Sequence, residues 1–136
     1  MRLQQATRCA LFAVFELARH PERQISAADI AEKYGLSVNH LAKVLRALTR
    51  AGLIDGTRGA GGGYRFLGNA KRITLFDVIE IFEDVAAPAH ARSEAGAESD
   101  IGRALARVLA EIDDTSVATL KSITLTTFLK LAQRQD

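Results

Sequence analysis

Residues 26–67 read SAADIAEKYGLSVNHLAKVLRALTRAGLIDGTRGAGGGYRFL, and this stretch decides the fold. Ser26 stands just before Ala27-Ala28-Asp29-Ile30-Ala31, so its hydroxyl is placed to cap a helix, with Asp29 approximating a capping box. Gly35 ends that short helix, because a tight turn there needs a left-handed residue. Ser37 caps the next helix, Val38 to Ala51, whose apolar row Leu41, Val44, Leu45 and Leu48 recurs at helical spacing. Gly52 stops it, and the period changes. Leu53-Ile54-Asp55-Gly56-Thr57 reads as a short strand and Tyr64-Arg65-Phe66-Leu67 as its antiparallel partner. Between them lies a glycine-rich tip, Arg58-Gly59-Ala60-Gly61-Gly62-Gly63. Short helix, glycine turn, capped helix and two-stranded hairpin is the order of a winged helix-turn-helix.

Upstream, Leu3, Ala6, Ala10, Ala13, Val14 and Leu17 form a helical stripe that Pro21 stops. Downstream, Thr74 caps a helix containing Leu75, Val78, Ile79 and Phe82. Residues 83–100 are rich in Ala, Pro, Ser and Glu without a period and read as a loop. Ile101, Leu105, Val108 and Ile112 then alternate at four- and three-residue spacing, a coiled-coil-like seam on a long helix ending near Leu120. That seam suits a dimer contact, and it is also suited to covering the first helix. Ser122-Ile123-Thr124 opens a terminal helix with Leu125, Phe128 and Leu129. The expected fold is mainly α with a small two-stranded β-wing: a winged helix-turn-helix over 1–83, a connecting loop over 84–100, and a dimerisation helix with a terminal helix over 101–136.

The chain has 136 residues, about one domain's worth, with 48% hydrophobic and 25% charged residues, the balance of a globular protein. No apolar stretch is long enough to span a bilayer, and Met1-Arg2-Leu3-Gln4-Gln5 lacks a secretory core, so a mature cytoplasmic protein is expected. One cysteine, Cys9, excludes an internal disulfide framework and any site that needs several thiolates from one chain. The net charge of +2 hides a division. Residues 1–72 hold 12 Lys/Arg against 5 Asp/Glu, whereas residues 73–136 hold 6 against 11. A basic half joined to an acidic half suggests that one part faces a polyanion.

A helix that enters a major groove needs polar and basic residues near its N-terminus, where base edges are reached. Ser37, Asn39, His40 and Lys43 lie there, with Arg46 and Arg50 following on the outward side. Asn and His can hydrogen-bond bases, while Ser37 at the helix N-terminus suits a phosphate. In the hairpin, Gly59 and Gly61 permit unusual dihedrals beside Tyr64, and Arg58 and Arg65 carry positive charge. A thin arginine-bearing hairpin fits a minor groove. A nucleotide-binding glycine loop does not fit, since the run matches neither GxGxxG nor a P-loop and leads into a strand. The plainer alternatives are a helical hairpin with a solvated polar face and a hairpin without a ligand.

Met1-Arg2-Leu3 with Arg8-Cys9-Ala10-Leu11, the turn from Ile30 to Ser37, Leu53-Ile54 leading into RGAGGGY, and Ile73-Thr74-Leu75-Phe76-Asp77-Val78-Ile79 together resemble the Rrf2 family of bacterial transcription regulators. The likeness covers nearly the whole chain, and the segment from Ser37 to Val44 looks closest to the nitrite- and nitric-oxide-sensitive repressors. The resemblance implies a homodimer on a pseudo-palindromic DNA operator, held by the helix bearing Ile101, Leu105, Val108 and Ile112. It also implies that Ser37, Asn39, His40 and Lys43 contact the major groove, Arg58 the minor groove, and Arg2 a phosphate.

Many members of that family hold an iron–sulfur cluster on three cysteines in the loop that here spans residues 83–100. This loop has none and offers His90, Glu94, Glu98 and Asp100 instead. Cluster iron prefers thiolates, so no cluster is expected and no metal site is assigned. Cys9 reads either as a buried structural residue or as a thiol sensor whose pKa Arg8 lowers. No catalytic constellation is recognisable, so an enzyme is not expected. The expected function is a DNA-binding regulator, most simply a repressor, responding to a small molecule, to a thiol oxidant through Cys9, or to nothing, with His90 of the loop a further candidate sensor residue. A dimeric interaction protein that no longer binds DNA is the alternative from another class.

Overall fold

The computed structural model describes residues 2–59, 61–85 and 95–134. Its element order is α1 (Gln5–Arg19), α2 (Ala27–Tyr34), α3 (Val38–Arg50), β1 (Ile54–Thr57), β2 (Gly63–Phe66), α4 (Leu75–Ile79), α5 (Asp100–Ser122) and α6 (Leu125–Gln133). Each boundary has a local cause. The hydroxyls of Ser26, Ser37, Thr74, Ser99 and Thr124 accept from backbone N–H groups in the first turns of α2 to α6, supplying bonds that a helix start lacks. The reciprocal capping box forms at Thr74 and Asp77, where the Thr74 N–H donates to the Asp77 carboxylate at 2.9 Å. At Ser26 the hydroxyl accepts from the Asp29 N–H at 3.1 Å. Gly35 adopts φ +65° after α2, the left-handed turn expected there.

Helix α1 is the hub of the core. Its buried face, including Ala10, Ala13, Val14 and Leu17, packs against α2, α3, β2, α4 and α6. Leu41, Val44, Leu45 and Leu48 of α3 and Val78 and Ile79 of α4 complete the interior. The C-terminal helix is part of the same core: the Phe15 and Phe128 rings stack at 4.1 Å, and Leu125 is fully buried. Two copies of one tripeptide dock it. Ile73-Thr74-Leu75 and Ile123-Thr124-Leu125 form an antiparallel bridge, with the Leu75 N–H donating to the Ile123 carbonyl and the Leu125 N–H to the Ile73 carbonyl, each at 2.9 Å.

The fold is mainly helical with one two-stranded antiparallel sheet, as expected. β1 pairs with β2 in the register Ile54 with Phe66 and Thr57 with Gly63. The sequence reading missed a third participant. Ile25 bridges Tyr64 on the other side of β2, exchanging hydrogen bonds of 2.9 and 2.8 Å. A Cβ on Gly63 would stand 2.8 Å from the Ile25 backbone, so glycine is required where the two segments pass. The seam on α5 also differs in one respect. Ile101, Leu105, Val108 and Ile112 are 53–74% exposed, and α5 has no buried residue. The row therefore does not cover α1, because that role is filled by α6.

Candidate nucleic-acid interface

The Ser37 hydroxyl accepts the His40 N–H at 3.3 Å, fixing the start of α3. With Leu41, Val44, Leu45 and Leu48 turned into the core, the opposite side of α3 is exposed at Val38, Asn39, Ala42, Lys43, Arg46, Thr49 and Arg50. Burial of one face thus presents the other. Ser37, Asn39 and Lys43 from the expected contacts share this exposed surface. His40 is half-buried, and its Nε2 is enclosed without a hydrogen-bond partner among the described groups. In this conformation that nitrogen is turned away from solvent.

The wing stands beside α3. Gly59 at φ +96° and Gly61 at φ +76° turn the tip, where Arg58 is exposed, and Arg65 projects from β2. Ala60 of the tip lies outside the described residues. Gln24 Nε2 donates to Thr57 Oγ1 at 3.1 Å and braces the wing base. Between helix and wing runs an open cleft lined by Arg46, Thr49, Arg50, Arg58 and Tyr64, with Asp55 as its acidic member. The expected residues Arg46, Arg58 and Tyr64 therefore meet in space. Arg2 is exposed and lines a different surface depression with Leu3, Gln4, Gln5 and Arg8.

Below this surface lies a polar cluster that sequence reasoning did not find. Glu16 of α1 is buried and accepts from Tyr34 Oη at 2.6 Å and from Lys33 Nζ at 2.9 Å to both oxygens. Arg19 approaches the same carboxylate at 4.0 Å. Burial works to raise the Glu16 pKa, but the hydrogen bonds from Tyr34 and Lys33 and the nearby cations outweigh it and hold it below the usual range. Tyr34 is pushed up to about 12 by burial and by its bond to that carboxylate. Phe12 stacks on the Tyr34 ring at 5.0 Å. The cluster bolts α2, the first helix of the helix-turn-helix, to the hub helix. A glutamate inside an amphipathic helix whose partners lie 17 and 18 residues away leaves little periodic trace.

The Rrf2 family profile, described as an iron-dependent transcriptional regulator, matches residues 3–131. The chain belongs to the Rrf2 family. Among its relatives is BadM of Rhodopseudomonas palustris, described as a candidate HTH-type transcriptional regulator. The two are 53% identical over 131 residues, covering 96% of this chain and 83% of BadM. The regulator IscR of Vibrio vulnificus is 34% identical over 85 residues, covering 62% of this chain and 51% of that protein. Among solved structures, CymR, the global cysteine regulator of B. subtilis, superposes with TM-score 0.79 at 27% identity, covering 96% of this chain and 98% of CymR. IscR of T. potens gives TM-score 0.79 at 27% identity, covering all of this chain and 91% of that one. The likeness to the Rrf2 family is thereby established, and with it a winged-helix transcription regulator rather than an enzyme. None of these names supports the nitrite-sensitive branch.

The family description raises the matter of iron, and the residues present do not fit a thiolate-held cluster. The chain's one cysteine, Cys9, is 1% exposed inside the α1 face of the core. Burial pushes its pKa up, which accords with the buried structural reading of Cys9 and not with the lowering by Arg8 that the thiol-sensor alternative invokes. No group of three or more His, Cys, Asp or Glu side chains converges among the described residues. His90 and Glu94 lie outside the described residues.

Proposed function

We propose that this Rrf2 protein is a homodimeric repressor that occupies a two-fold-related DNA operator, without a cluster as its sensor. The observation that carries the DNA assignment is the cationic cleft between the exposed face of α3 and the wing, where Arg46, Arg50 and Arg58 meet. Asn39 and Lys43 at the start of α3 read base edges in the major groove, and Ser37 holds a phosphate. Arg58 enters the adjoining minor groove, and Arg65 and the backbone at Gly59 and Gly61 follow the strand. Arg2 adds a phosphate contact. The exposed seam Ile101, Leu105, Val108 and Ile112 supports pairing through α5, since an uncovered apolar row of that length is costly in water. Two heads so joined address two half-sites, as dimeric helix-turn-helix proteins do. Repression follows from occupancy: a dimer seated on a promoter excludes polymerase.

The test is a gel shift with DNA upstream of the gene encoding the chain. The wild type is expected to form a complex that weakens steeply with salt, because cationic contacts release counterions. Arg58→Ala is expected to weaken it at least tenfold, as loss of one groove contact of ~1–3 kcal/mol per head implies. Undiminished binding by that variant removes the wing from the interface. The absence of any complex at low salt removes the DNA assignment itself, and a reporter that rises when the protein is expressed reverses the sign of regulation.

A further inference from the structure

Val38 occupies the first position of α3 and is 54% exposed. Nothing about starting a helix asks for it: β-branched side chains are indifferent helix formers, and the first turn of α3 carries no acidic residue to favour the dipole. Four residues on stands Ala42, also exposed, and four further on Arg46. Residues at that spacing form one row along a helix. Ala42 and Arg46 line the cleft toward the wing, so the row begins at the helix tip with Val38 and runs into the cationic surface. Asn39 and Lys43 form the neighbouring row, which is polar. The candidate reading surface thus carries an apolar strip directly beside a hydrogen-bonding one.

We propose that Val38, with Ala42 one turn on, reads the C5-methyl group of a thymine in the major groove and so distinguishes thymine from cytosine at one position of each half-site. The thymine methyl is the apolar feature of the major-groove edge, and small aliphatic side chains are its complement. This proposal rests on the DNA-binding reading above. Arg46 and Arg50 supply the phosphate attraction that brings such a strip against a duplex, and Asn39 and Lys43 supply hydrogen bonds to neighbouring bases.

The experiment selects duplexes from a random-sequence pool with wild-type protein, then replaces each thymine of the best duplex singly by deoxyuridine, which lacks only the methyl. Wild type is expected to lose about fourfold in affinity at one thymine per half-site, the worth of one buried methyl-sized group. Val38→Ala is expected to bind the thymine and uracil duplexes equally at that position, while Val38→Thr, which keeps one methyl, retains a penalty. The proposal is overturned if wild type tolerates uracil everywhere, or if Val38→Ala keeps the full penalty. A wild-type protein that enriches no duplex and shows no salt-sensitive retention overturns the DNA-binding reading and this proposal with it. Binding with no uracil effect overturns this proposal alone.

Discussion

The Ser37 hydroxyl accepts the His40 N–H at 3.3 Å, which leaves its own proton free to donate outward to a phosphate. Capping and contact can therefore be separated by substitution. Ser37→Asp keeps a good cap, so its thermal midpoint is expected to match wild type, yet it places a negative charge where the proposed phosphate contact lies and should abolish the gel shift. Retained binding by Ser37→Asp would place the DNA backbone elsewhere. Glu16 is the second decisive residue. Its folded pKa lies below the ordinary value of about 4.3, so its contribution to stability is complete above that value and is lost as pH falls through the folded one. Glu16→Gln is expected to cost about 1–3 kcal/mol in urea unfolding at neutral pH, because Lys33 loses its partner and Tyr34 part of its bond. The variant should also show a shallower loss of stability below about pH 4 than wild type. A parallel loss in both proteins would assign the acid sensitivity to other carboxylates. Ser37 was legible in the sequence, because a cap is a local signal. Glu16 was not, because its partners are supplied by a different helix.

Among elements, those with local punctuation were readable and those defined by distant pairing were not. Capping hydroxyls, Gly35 and the glycine run at the wing gave α2, α3 and the hairpin within a residue or two. The Ile25–Tyr64 bridge escaped, because a single paired residue has no period. The tripeptide bridge from Ile73–Leu75 to Ile123–Leu125 escaped as well, since two like segments 50 residues apart need not touch. Helix α5 was half-read: its seam was visible, but which partner it faces is a matter of tertiary packing. With 23 residues it runs about 34 Å, and its seam residues meet no core of their own chain. Leu105→Glu, at a residue 57% exposed in the single chain, is expected to leave helicity intact and to halve the mass measured by analytical ultracentrifugation. Unchanged mass in that variant would move the dimer contact to another surface.

For the molecule as a whole, the charge division acquires a place. The cations of the first 72 residues include Arg46, Arg50 and Arg58 around the cleft, while α5 and α6 belong to the half with an acidic surplus. The winged head nevertheless depends on the C-terminal helix for its packing. A chain ending at Lys121 loses Leu125, which is fully buried, and the ring that Phe128 lays on Phe15. Large buried side chains lost in this way cost about 2–5 kcal/mol each, so the truncated chain is expected to unfold without a cooperative thermal transition. A sharp transition at the wild-type temperature would show that residues 1–121 fold alone. The stacking of Phe15 on Phe128 also sets an order of events during protein synthesis. Synthesis delivers α1 well before α6, so the last face of α1 cannot be closed until α6 has emerged. Until then the helix-turn-helix segment waits with part of its interior open, so a chain broken off before α6 is an incomplete fold that quality control can recognise by its exposed apolar surface.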